Sequence, residues 1–253
     1  MKFKQQIIDI LESREILNST NVEIHQDNPK LIDRLSLLKS ICTNKKVIHV
    51  GCCSHLTMID KKIAEGKWLH GILTDISENC VGIDIEKPSL SYVHDKLGYK
   101  NVFYCNVITD PVIPQIKEKH WDYMVLGEIL EHTSNPESFI RSINEKYGAY
   151  VDQIIITVPN AFSHINIAYA NENIEIINTD HRYWFTPFTL AKISIDAGFE
   201  VDSFYLVDST SKKTGWKKKI KIFPFFMHQL TAAKLKLKPL LRETLVMILN
   251  FKN

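Results

Sequence analysis

The sequence has few cysteines and no paired cysteine motif. Its five cysteines are an odd number, and they are Cys42, Cys52, Cys53, Cys80 and Cys105. An odd count without Cys-x-x-Cys spacing argues against a disulfide framework and against a zinc site. We therefore expect a reduced, cytoplasmic protein.

Long apolar segments are also absent. No uninterrupted apolar run reaches the roughly 18 residues that a membrane-spanning helix needs. The first residues, MKFKQQIIDILESRE, lack the continuous apolar stretch and the small-residue cleavage site of a signal peptide. With 253 residues, of which 45% are hydrophobic, the chain suits one large domain or one domain with an appendage.

Glycine is scarce where a phosphate-binding loop would need it. The apolar run Val47–Gly51 ends in one glycine and continues as Cys-Cys-Ser-His, so neither a Gly-x-Gly-x-x-Gly loop nor a Walker loop is present. One glycine still permits a sharp turn and close approach of a ligand to the backbone. This strand end suits a cofactor without a pyrophosphate, although an ordinary strand-to-helix turn explains it equally well.

The charges are unevenly distributed. The chain carries a net charge of +2, but residues 211–253 carry +10 and the preceding 210 residues carry −8. A basic tail predicts an anionic partner, such as membrane phospholipid, nucleic acid or a phosphorylated substrate. The acidic body and the lack of a recognised reading motif argue against nucleic acid. The segment Lys217–Phe226 could contact the inner face of a membrane, or it could be an edge strand with solvated lysines.

The hydrophobic pattern divides the chain into three parts. Residues 1–44 predict an N-terminal helical cap, with a polar break at Asn18–Asn28. Over residues 45–210, apolar strands alternate with helices, which predicts an α/β fold with a doubly wound, seven-stranded, mostly parallel sheet. Residues 211–253 predict a basic C-terminal extension.

The individual elements follow from the same pattern. The predicted strands of the central domain are Val47–Gly51, Cys80–Ile85, Val102–Val107, Tyr123–Leu126, Gln153–Val158 and Val201–Val207. The predicted helices there are Leu56–Asn79 (broken near Gly66), Ser89–Leu97, Pro136–Tyr147 and Pro187–Ala197. In the extension we predict an antiparallel edge strand at Lys219–Phe223 and a helix over Leu230–Leu249, interrupted at Pro239.

Polar residues follow the ends of several predicted strands, where open α/β sheets bind their ligands. Asp84 closes the second strand and could accept hydrogen bonds from ribose hydroxyls, or it could be a helix N-cap or part of a surface ion pair. Asn106 closes the third strand and could pair with the edge of an adenine or simply form a turn. After the fourth strand, Gly127 is followed by two carboxylates and a histidine: Glu128, Glu131 and His132.

In combination, these motifs resemble the class I S-adenosylmethionine (SAM)-dependent methyltransferases, and especially the small-molecule group that contains the ubiquinone-biosynthesis O-methyltransferases. The glycine-rich strand end of that family lies on Val47–His55, its Glu-Val-Leu-Glu-His motif lies on Glu128–His132, and its late Ala-Gly-Phe lies on Ala197–Phe199. The resemblance covers about Lys45–Val207. A narrower similarity, carried by Gly51–His55 and by Asp180–Phe185, is to methyltransferases encoded with bacterial capsule or lipopolysaccharide genes.

The resemblance implies SAM as the cofactor and a set of residues that contact it at four strand ends. These residues are His49, Gly51, Cys52, Cys53, His55, Asp84, Ile85, Asn106, Val107, Gly127 and Glu128. The chain departs from the family where His49 replaces an acid and where Cys53 and His55 replace glycines. These departures concern the contacts to the methionine and adenosine parts of SAM.

Methyl transfer to a hydroxyl requires removal of a proton, and histidine is the usual base near neutral pH. His132 follows the fourth strand and His181 follows the fifth. We favour His181 as the catalytic base, because in the resembled family that connection lines the substrate side. Each histidine also has a structural interpretation: His132 could organise its loop, and His181 could be an ordinary surface residue.

The residues after His181 are candidates for acceptor binding. Arg182 could clamp a phosphate or carboxylate, and Tyr183 and Trp184 could stack on a sugar, although packing under the loop is the commoner role of such residues. Glu128 and Glu131 could form a metal site or an acid–base pair. We favour contact with the cofactor's ammonium group and helix capping, so no metal site is predicted.

The sequence therefore predicts a SAM-dependent enzyme that methylates an oxygen of a small-molecule or sugar-type acceptor, including a nucleotide- or lipid-linked sugar of surface-glycan biosynthesis. The alternatives are N- or C-methylation on the same fold, a non-catalytic SAM-binding module that docks on a membrane, and a nicotinamide-dependent oxidoreductase. Peripheral membrane contact through the basic extension and homo-oligomerisation both remain open.

Overall fold

A computed structural model describes residues 1–24, 31–208 and 233–252. Within these residues, seven strands form one sheet in the order β3-β2-β1-β4-β5-β7-β6. The strands are β1 (Lys46–Val50), β2 (Asn79–Asp84), β3 (Val102–Tyr104), β4 (Trp121–Gly127), β5 (Val151–Pro159), β6 (Phe199–Val207) and β7 (Thr244–Phe251). The helices are α1 (Gln5–Leu11), α2 (Arg34–Cys42), α3 (Leu56–Ala64), α4 (Leu69–Ile76), α5 (Lys87–Ser91), α6 (Pro114–Lys117), α7 (Pro136–Tyr147), α8 (His164–Ala170) and α9 (Pro187–Asp196).

The sheet is parallel from β3 to β5, and β7 runs antiparallel to both β5 and β6. The central strands are mostly apolar because helices cover both faces of the sheet. Neighbouring residues of β5 illustrate this: Ile154 packs in one apolar cluster and Ile155 packs in the other. The predicted seven-stranded, mostly parallel, doubly wound fold is confirmed.

Helix ends follow the local sequence. Helix α7 has the predicted bounds, and the side chain of Asn135 accepts a hydrogen bond from the Ser138 amide, as an N-cap residue should. The predicted break at Gly66 is confirmed, since this residue has φ +64° and separates α3 from α4. No helix in the described part of the chain combines the length and the apolar character needed to cross a membrane.

The N-terminal segment is less helical than predicted. Ile7 and Leu11 of α1 pack in the main core, but Ile16 and Leu17 are exposed, so the apolar helical face ends at Leu11. Helix α2 begins after Asp33, whose carboxylate accepts a hydrogen bond from the Ser36 amide. Residues 25–30, which complete the predicted polar break, lie outside the described residues.

The C-terminal prediction is wrong in one respect. The helix predicted over Leu230–Leu249 is replaced from Thr244 onward by β7, which lies between β5 and β6. Leu245–Leu249 is a continuous buried apolar run, and such a run does not distinguish a buried strand from a helix. The predicted edge strand Lys219–Phe223 and the basic segment Lys217–Phe226 lie outside the described residues.

Candidate functional site

The turn after β1 needs a glycine for two reasons. Gly51 has φ +66°, a conformation that residues with a Cβ rarely adopt. A Cβ built at this position would also lie 2.8 Å from Cδ1 of Ile129, in the loop after β4. The loops that follow β1 and β4 therefore approach each other closely at the carboxyl edge of the sheet.

Asp84, at the end of β2, is tied to the loop after β1. Its Oδ2 accepts a hydrogen bond from the Cys53 amide at 2.8 Å, and its Oδ1 accepts from the amides of Ile85 and Glu86 at 2.7 and 3.0 Å. Burial raises the pKa of the Asp84 carboxyl, and the backbone hydrogen bonds offset part of this rise. A carboxylate offers about four lone-pair sites, so these three bonds leave Asp84 capacity for another donor.

Besides Asp84, three of the predicted cofactor contacts are buried. His49, Cys52 and Val107 are between 2% and 4% exposed. The Nδ1 atom of His49 lies 3.4 Å from Nδ1 of the buried His70. Burial holds the pKa of both imidazoles below the ordinary value, that of His70 at about 4. The structure thus places His49 in the interior against His70, and Val107 in the main core.

The end of β3 has the geometry of a turn. The side-chain Oδ1 of Asn106 accepts a hydrogen bond from the Ile108 amide at 3.0 Å, and the Asn106 amide donates to Asp110 at 2.9 Å. The side-chain oxygen of Asn106 therefore stabilises a turn, which is one of the two roles that the sequence allowed for this residue. Ile85, at the adjacent strand end, is 62% exposed.

The residue directly after β4 has a strained backbone and lies next to an arginine. Glu128 has φ +59°, which is uncommon for a residue other than glycine and recurs at functional sites. Its Oε1 accepts a hydrogen bond from the Thr157 hydroxyl at 3.0 Å and lies 3.7 Å from Nη1 of Arg34. The Arg34 Nη1 also donates to the Thr157 hydroxyl at 3.1 Å. Both charged side chains are partly exposed, so they present a cation and an anion side by side.

Arg34 is a site residue that the sequence reasoning missed. It stands in the first turn of α2, directly after the N-cap residue Asp33, within the segment predicted to be a helical cap. No local motif marks it, because the fold alone brings α2 to the ends of β4 and β5.

The loop after β4 also contains a fully buried carboxyl group. Glu131 has 0% exposure, and neither of its carboxyl oxygens has a hydrogen-bond partner among the described residues. Burial, with a smaller contribution from the charge of Glu128, raises the pKa of Glu131 to about 8. An unpaired buried carboxyl is costly, so Glu131 occupies a position where stability alone would favour an apolar residue.

The two predicted catalytic histidines meet beside Glu131. The rings of His132 and His181 are perpendicular, with centroids 4.6 Å apart, and Nε2 of His181 lies 4.0 Å from Oε1 of Glu131. On the other side, Nδ1 of His132 lies 3.2 Å from the carbonyl oxygen of Asp180 and 3.4 Å from its Oδ2. Burial lowers the pKa of His181. One ligand atom from each of Glu131, His132 and His181 lies within 4.8 Å of the others.

The loop that carries His181 is fastened to the loop after β4. The Arg182 amide donates to the carbonyl oxygen of Glu131 at 2.8 Å, and its guanidinium donates to the carbonyl oxygen of His132. The hydroxyl of Tyr183 donates to the carbonyl oxygen of Ser134 at 2.9 Å. Two of the predicted acceptor-binding residues therefore help to hold the histidines together.

A groove of about 310 Å³ borders this loop. Its lining includes Tyr183, Trp184 and Phe185, together with Asn135 and Pro136 at the start of α7. The Trp184 ring centroid lies 6.4 Å from that of His181. Trp184 therefore lines the groove and also contacts the histidine cluster.

Comparisons with known proteins identify the family and the fold of the chain. A family model described as a methyltransferase domain matches residues 23–203. The fold is similar to that of the magnesium protoporphyrin IX methyltransferase (ChlM) from Synechocystis PCC 6803 with bound SAH, with a TM-score of 0.50 and 11% identity over 86% of this chain and 80% of that chain. It is also similar to the small RNA methyltransferase HEN1, with a TM-score of 0.52 and 15% identity over 93% of this chain and 27% of that chain. A search of curated protein sequences found no match.

Proposed function

The chain belongs to the methyltransferase domain family, and on that premise we propose that it transfers a methyl group to a hydroxyl oxygen of a small-molecule or sugar-type acceptor. It is an enzyme, and its methyl donor is S-adenosyl-L-methionine. SAM carries its methyl group on a sulfonium, so the protein must bind SAM, orient it and promote loss of the acceptor proton. The observation that carries the proposal is the bond from the Cys53 amide to Asp84, which joins the turn at Gly51 to the end of β2.

The residues at this edge suit the nucleoside part of SAM. Asp84 retains capacity to accept a hydrogen bond from a ribose hydroxyl, as acidic residues at this position of dinucleotide-binding folds do. The side-chain oxygen of Asn106, Oδ1, accepts a hydrogen bond within the turn. Its side-chain nitrogen, Nδ2, is left to contact the adenine. The close turn at Gly51 lets the backbone approach the ligand.

The neighbouring charges suit the methionine part of SAM, which is a zwitterion. Glu128 can accept hydrogen bonds from its ammonium group, and Arg34 can donate to its carboxylate. The two side chains lie 3.7 Å apart, and an α-amino acid presents its two charged groups on adjacent carbons. We therefore add Arg34 to the predicted contacts that surround the cofactor.

The acceptor is proposed to react beside the cluster formed by Glu131, His132 and His181, which promotes loss of its proton. The faces of Tyr183 and Trp184 in the adjacent groove can stack on a sugar ring, and the exposed guanidinium of Arg182 has donors left for a phosphate. These features favour a nucleotide- or lipid-linked sugar, as in surface-glycan biosynthesis, over an acceptor that has no hydroxyl.

Calorimetric titration with SAM tests the cofactor assignment. We expect wild-type protein to bind SAM and Asp84→Asn to bind it at least about tenfold more weakly, because a hydrogen bond to a charged group contributes about 1.5–3 kcal/mol. Asp75→Asn is the matched control, since Asp75 is an exposed residue of α4 and should leave the affinity unchanged. Failure of wild-type protein to bind SAM, or binding of NADH in its place, would contradict the proposal.

Mass spectrometry of products tests the acceptor class. Wild-type protein is incubated with SAM and a panel of nucleotide-activated sugars and lipid-linked intermediates. We expect one product to gain the mass of a methyl group, with the new bond on oxygen. Methylation of nitrogen or carbon in a broader panel, without any O-methylated product, would support the alternative reactions on the same fold.

A further inference from the structure

Two cysteine thiols and a carboxyl group meet at the turn after β1. The Sγ atoms of Cys52 and Cys53 lie 3.9 Å apart. Cys52 and Asp84 are buried, and Cys53 is partly exposed. One ligand atom from each of these three residues lies within 4.8 Å of the others. Thiolate and carboxylate groups are donors that Zn²⁺ accepts in proteins, so the cluster is a candidate site for this ion.

The distances in this cluster suit tetrahedral coordination. With Zn–S bonds of about 2.3 Å, two thiolates on one tetrahedral ion are separated by about 3.8 Å. The Sγ atoms of Cys52 and Cys53 already have nearly this separation. A thiolate sulfur and a carboxylate oxygen on the same ion are about 3.5 Å apart. Small rotations of the three side chains reach this value from a separation of at most 4.8 Å.

Backbone hydrogen bonds hold the cluster together without help from the thiols. The amides of Gly51 and Cys52 donate to the carbonyl oxygen of Ile83 at 2.8 and 3.3 Å, and the Cys53 amide donates to Oδ2 of Asp84 at 2.8 Å. These bonds fasten the turn to the end of β2, which carries the carboxylate. Hydrogen bonds that orient a ligating carboxylate support metal binding, so the three donors are arranged before an ion arrives.

The electrostatics of the cluster favour a cation. The hydrogen bond with the Cys53 thiol, burial, and negative charge on Cys53 and Asp84 raise the pKa of Cys52 well above its ordinary value. Burial also raises the pKa of the Asp84 carboxyl. The neighbouring groups therefore disfavour the ionised form of Cys52, whereas a bound Zn²⁺ stabilises negative charge on all three ligands and deprotonates a coordinating thiol outright.

We propose that Cys52, Cys53 and Asp84 bind Zn²⁺ in the SAM-free protein, and that the ion and SAM exclude each other. Two Zn–S bonds and one Zn–O bond form, the two thiol protons pass to solvent, and water takes the fourth tetrahedral position. Asp84 already accepts three hydrogen bonds, so its remaining capacity goes either to the ion or to a ribose hydroxyl. Zn²⁺ is thereby an inhibitor of methyl transfer that acts at the cofactor site.

The two parts of this inference have different foundations. Exclusion of SAM rests on the proposed function, because it requires Asp84 to hold the ribose, whereas binding of the ion does not. The sequence argument against a zinc site depended on the absence of cysteines spaced as in Cys-x-x-Cys. Here the two cysteines are adjacent, and the third ligand follows 31 residues after Cys53. The parallel pairing of β1 with β2 brings it beside them.

Titration of SAM-free protein with Co²⁺, a spectroscopic substitute for Zn²⁺, tests whether the thiols are ligands. The full-length protein is kept reduced and is freed of metal ions beforehand. We expect a sulfur-to-cobalt charge-transfer absorption in wild type, which added Zn²⁺ abolishes by displacement. Cys53→Ala should need at least about tenfold more Co²⁺ to produce this absorption, because a lost ligand costs no less than a lost outer partner. The Cys53 amide, which binds Asp84, is retained in this variant.

Cys42→Ala is the matched control. Cys42 is a buried residue of α2 that packs in a different apolar cluster from Cys52, so the variant should bind Co²⁺ and Zn²⁺ like wild type. Absence of the charge-transfer absorption in wild type would overturn the proposal, since an ion bound elsewhere by carboxylates and imidazoles does not produce it. Equal titrations of Cys53→Ala and Cys42→Ala would overturn it as well.

Calorimetry with SAM tests the exclusion. Free Zn²⁺ at ten times its Kd should weaken SAM binding by wild type and by Cys42→Ala about tenfold. It should leave the SAM affinity of Cys53→Ala, whatever its value without zinc, unchanged. Saturating SAM should also remove the cobalt absorption, and its persistence would overturn the exclusion. Failure of ion-free wild type to bind SAM would instead contradict the proposed function, and the cobalt titration, which contains no SAM, is a separate result.

Discussion

At the residue scale, Gly82 decides how closely the loop after β1 can lie on β2. A Cβ at this position would lie 2.6 Å from Cε1 of His70 and 2.7 Å from Cβ of Cys52. Both neighbours are buried, so neither can move into solvent. Because glycine has no side chain, Gly82 leaves room for the loop after β1, whose Cys53 amide donates a hydrogen bond to Asp84.

Gly82→Ala should destabilise the protein and weaken SAM binding. The added methyl overpacks a dense region, which typically costs about 1–3 kcal/mol, and displacement of Cys52 should disturb the neighbouring bond from Cys53 to Asp84. Urea unfolding measures the first effect and calorimetry with SAM measures the second. Gly148→Ala is the comparison, because its shortest Cβ contacts are longer, at 3.1 and 3.2 Å, and it should change both quantities less. Equal behaviour of the two variants would contradict this account.

The sequence was informative about single residues near strand ends and uninformative about their partners. Gly51, Asp84 and His132 were singled out from local patterns at the ends of apolar strands, and His181 was singled out from the place of its connection in the resembled family. Arg34 and the unpaired state of Glu131 were not predicted. Both are properties of packing between segments that are distant in the sequence, and a motif records only neighbours along the chain.

At the element scale, Asn160 connects the C-terminal segment to the loop that carries His181. It is fully buried, and its Nδ2 donates to the carbonyl oxygens of Leu240 and Arg242, both at 2.7 Å. Its backbone forms a parallel bridge with Phe185. The position of β7 and the position of the histidine loop therefore depend on the same residue, the first through its side chain and the second through its backbone.

Asn160→Asp should destabilise the protein by about 2–4 kcal/mol, because two hydrogen bonds are lost and a buried carboxylate then faces two carbonyl oxygens. Asn171→Asp, at the exposed end of α8, makes the same chemical change at the surface and should cost less than about 0.5 kcal/mol. Urea unfolding of both variants measures the difference. We also expect faster hydrogen exchange of the Ala161 amide, which donates to Phe185, in Asn160→Asp alone. Similar stabilities of the two variants would show that Asn160 does not hold these segments.

Elements whose ends are marked by capping residues, proline or glycine were predicted better than elements without such signals. Helix α7 has an N-cap at Asn135 and a proline in its first turn, and its predicted bounds match the structure. Strand β7 has no such signal, because Leu245–Leu249 is uniformly apolar, and it was taken for a helix. Its identity is fixed by pairing with β5 and β6, which is a long-range property.

At the scale of the whole molecule, buried ionisable groups make stability depend on pH in opposite directions. His70 is fully buried, and its pKa is held at about 4 by burial. The unfolded chain binds a proton on this histidine near its ordinary pKa of about 6.5, whereas the folded protein does not until about pH 4. Its contribution to stability is therefore complete above about pH 6.5 and is lost as the pH falls towards 4.

Glu131 has the opposite effect on the pH dependence of folding stability. Its pKa is raised to about 8 in the folded protein and is near 4.5 in the unfolded chain. The folded state therefore binds a proton on Glu131 that the unfolded state lacks, and acidification from about pH 8 to 4.5 favours folding through this group. The two effects overlap between about pH 4.5 and 6.5, so the stability curve of wild type alone does not isolate either of them.

A difference measurement isolates His70. The free energies of unfolding of wild type and of His70→Gln are measured by urea denaturation in chelated buffer at several values between about pH 8 and pH 5. Wild type should lose about 2 kcal/mol more than the variant over this range, because 1.5 pH units below 6.5 correspond to about 2 kcal/mol for one proton. The nearby His49, whose pKa is also lowered by burial, remains in both proteins and largely cancels in the difference. Parallel stability curves for the two proteins would mean that the His70 imidazole is accessible to protons in the folded state, and hence that the interior beneath the loop after β1 is open rather than packed.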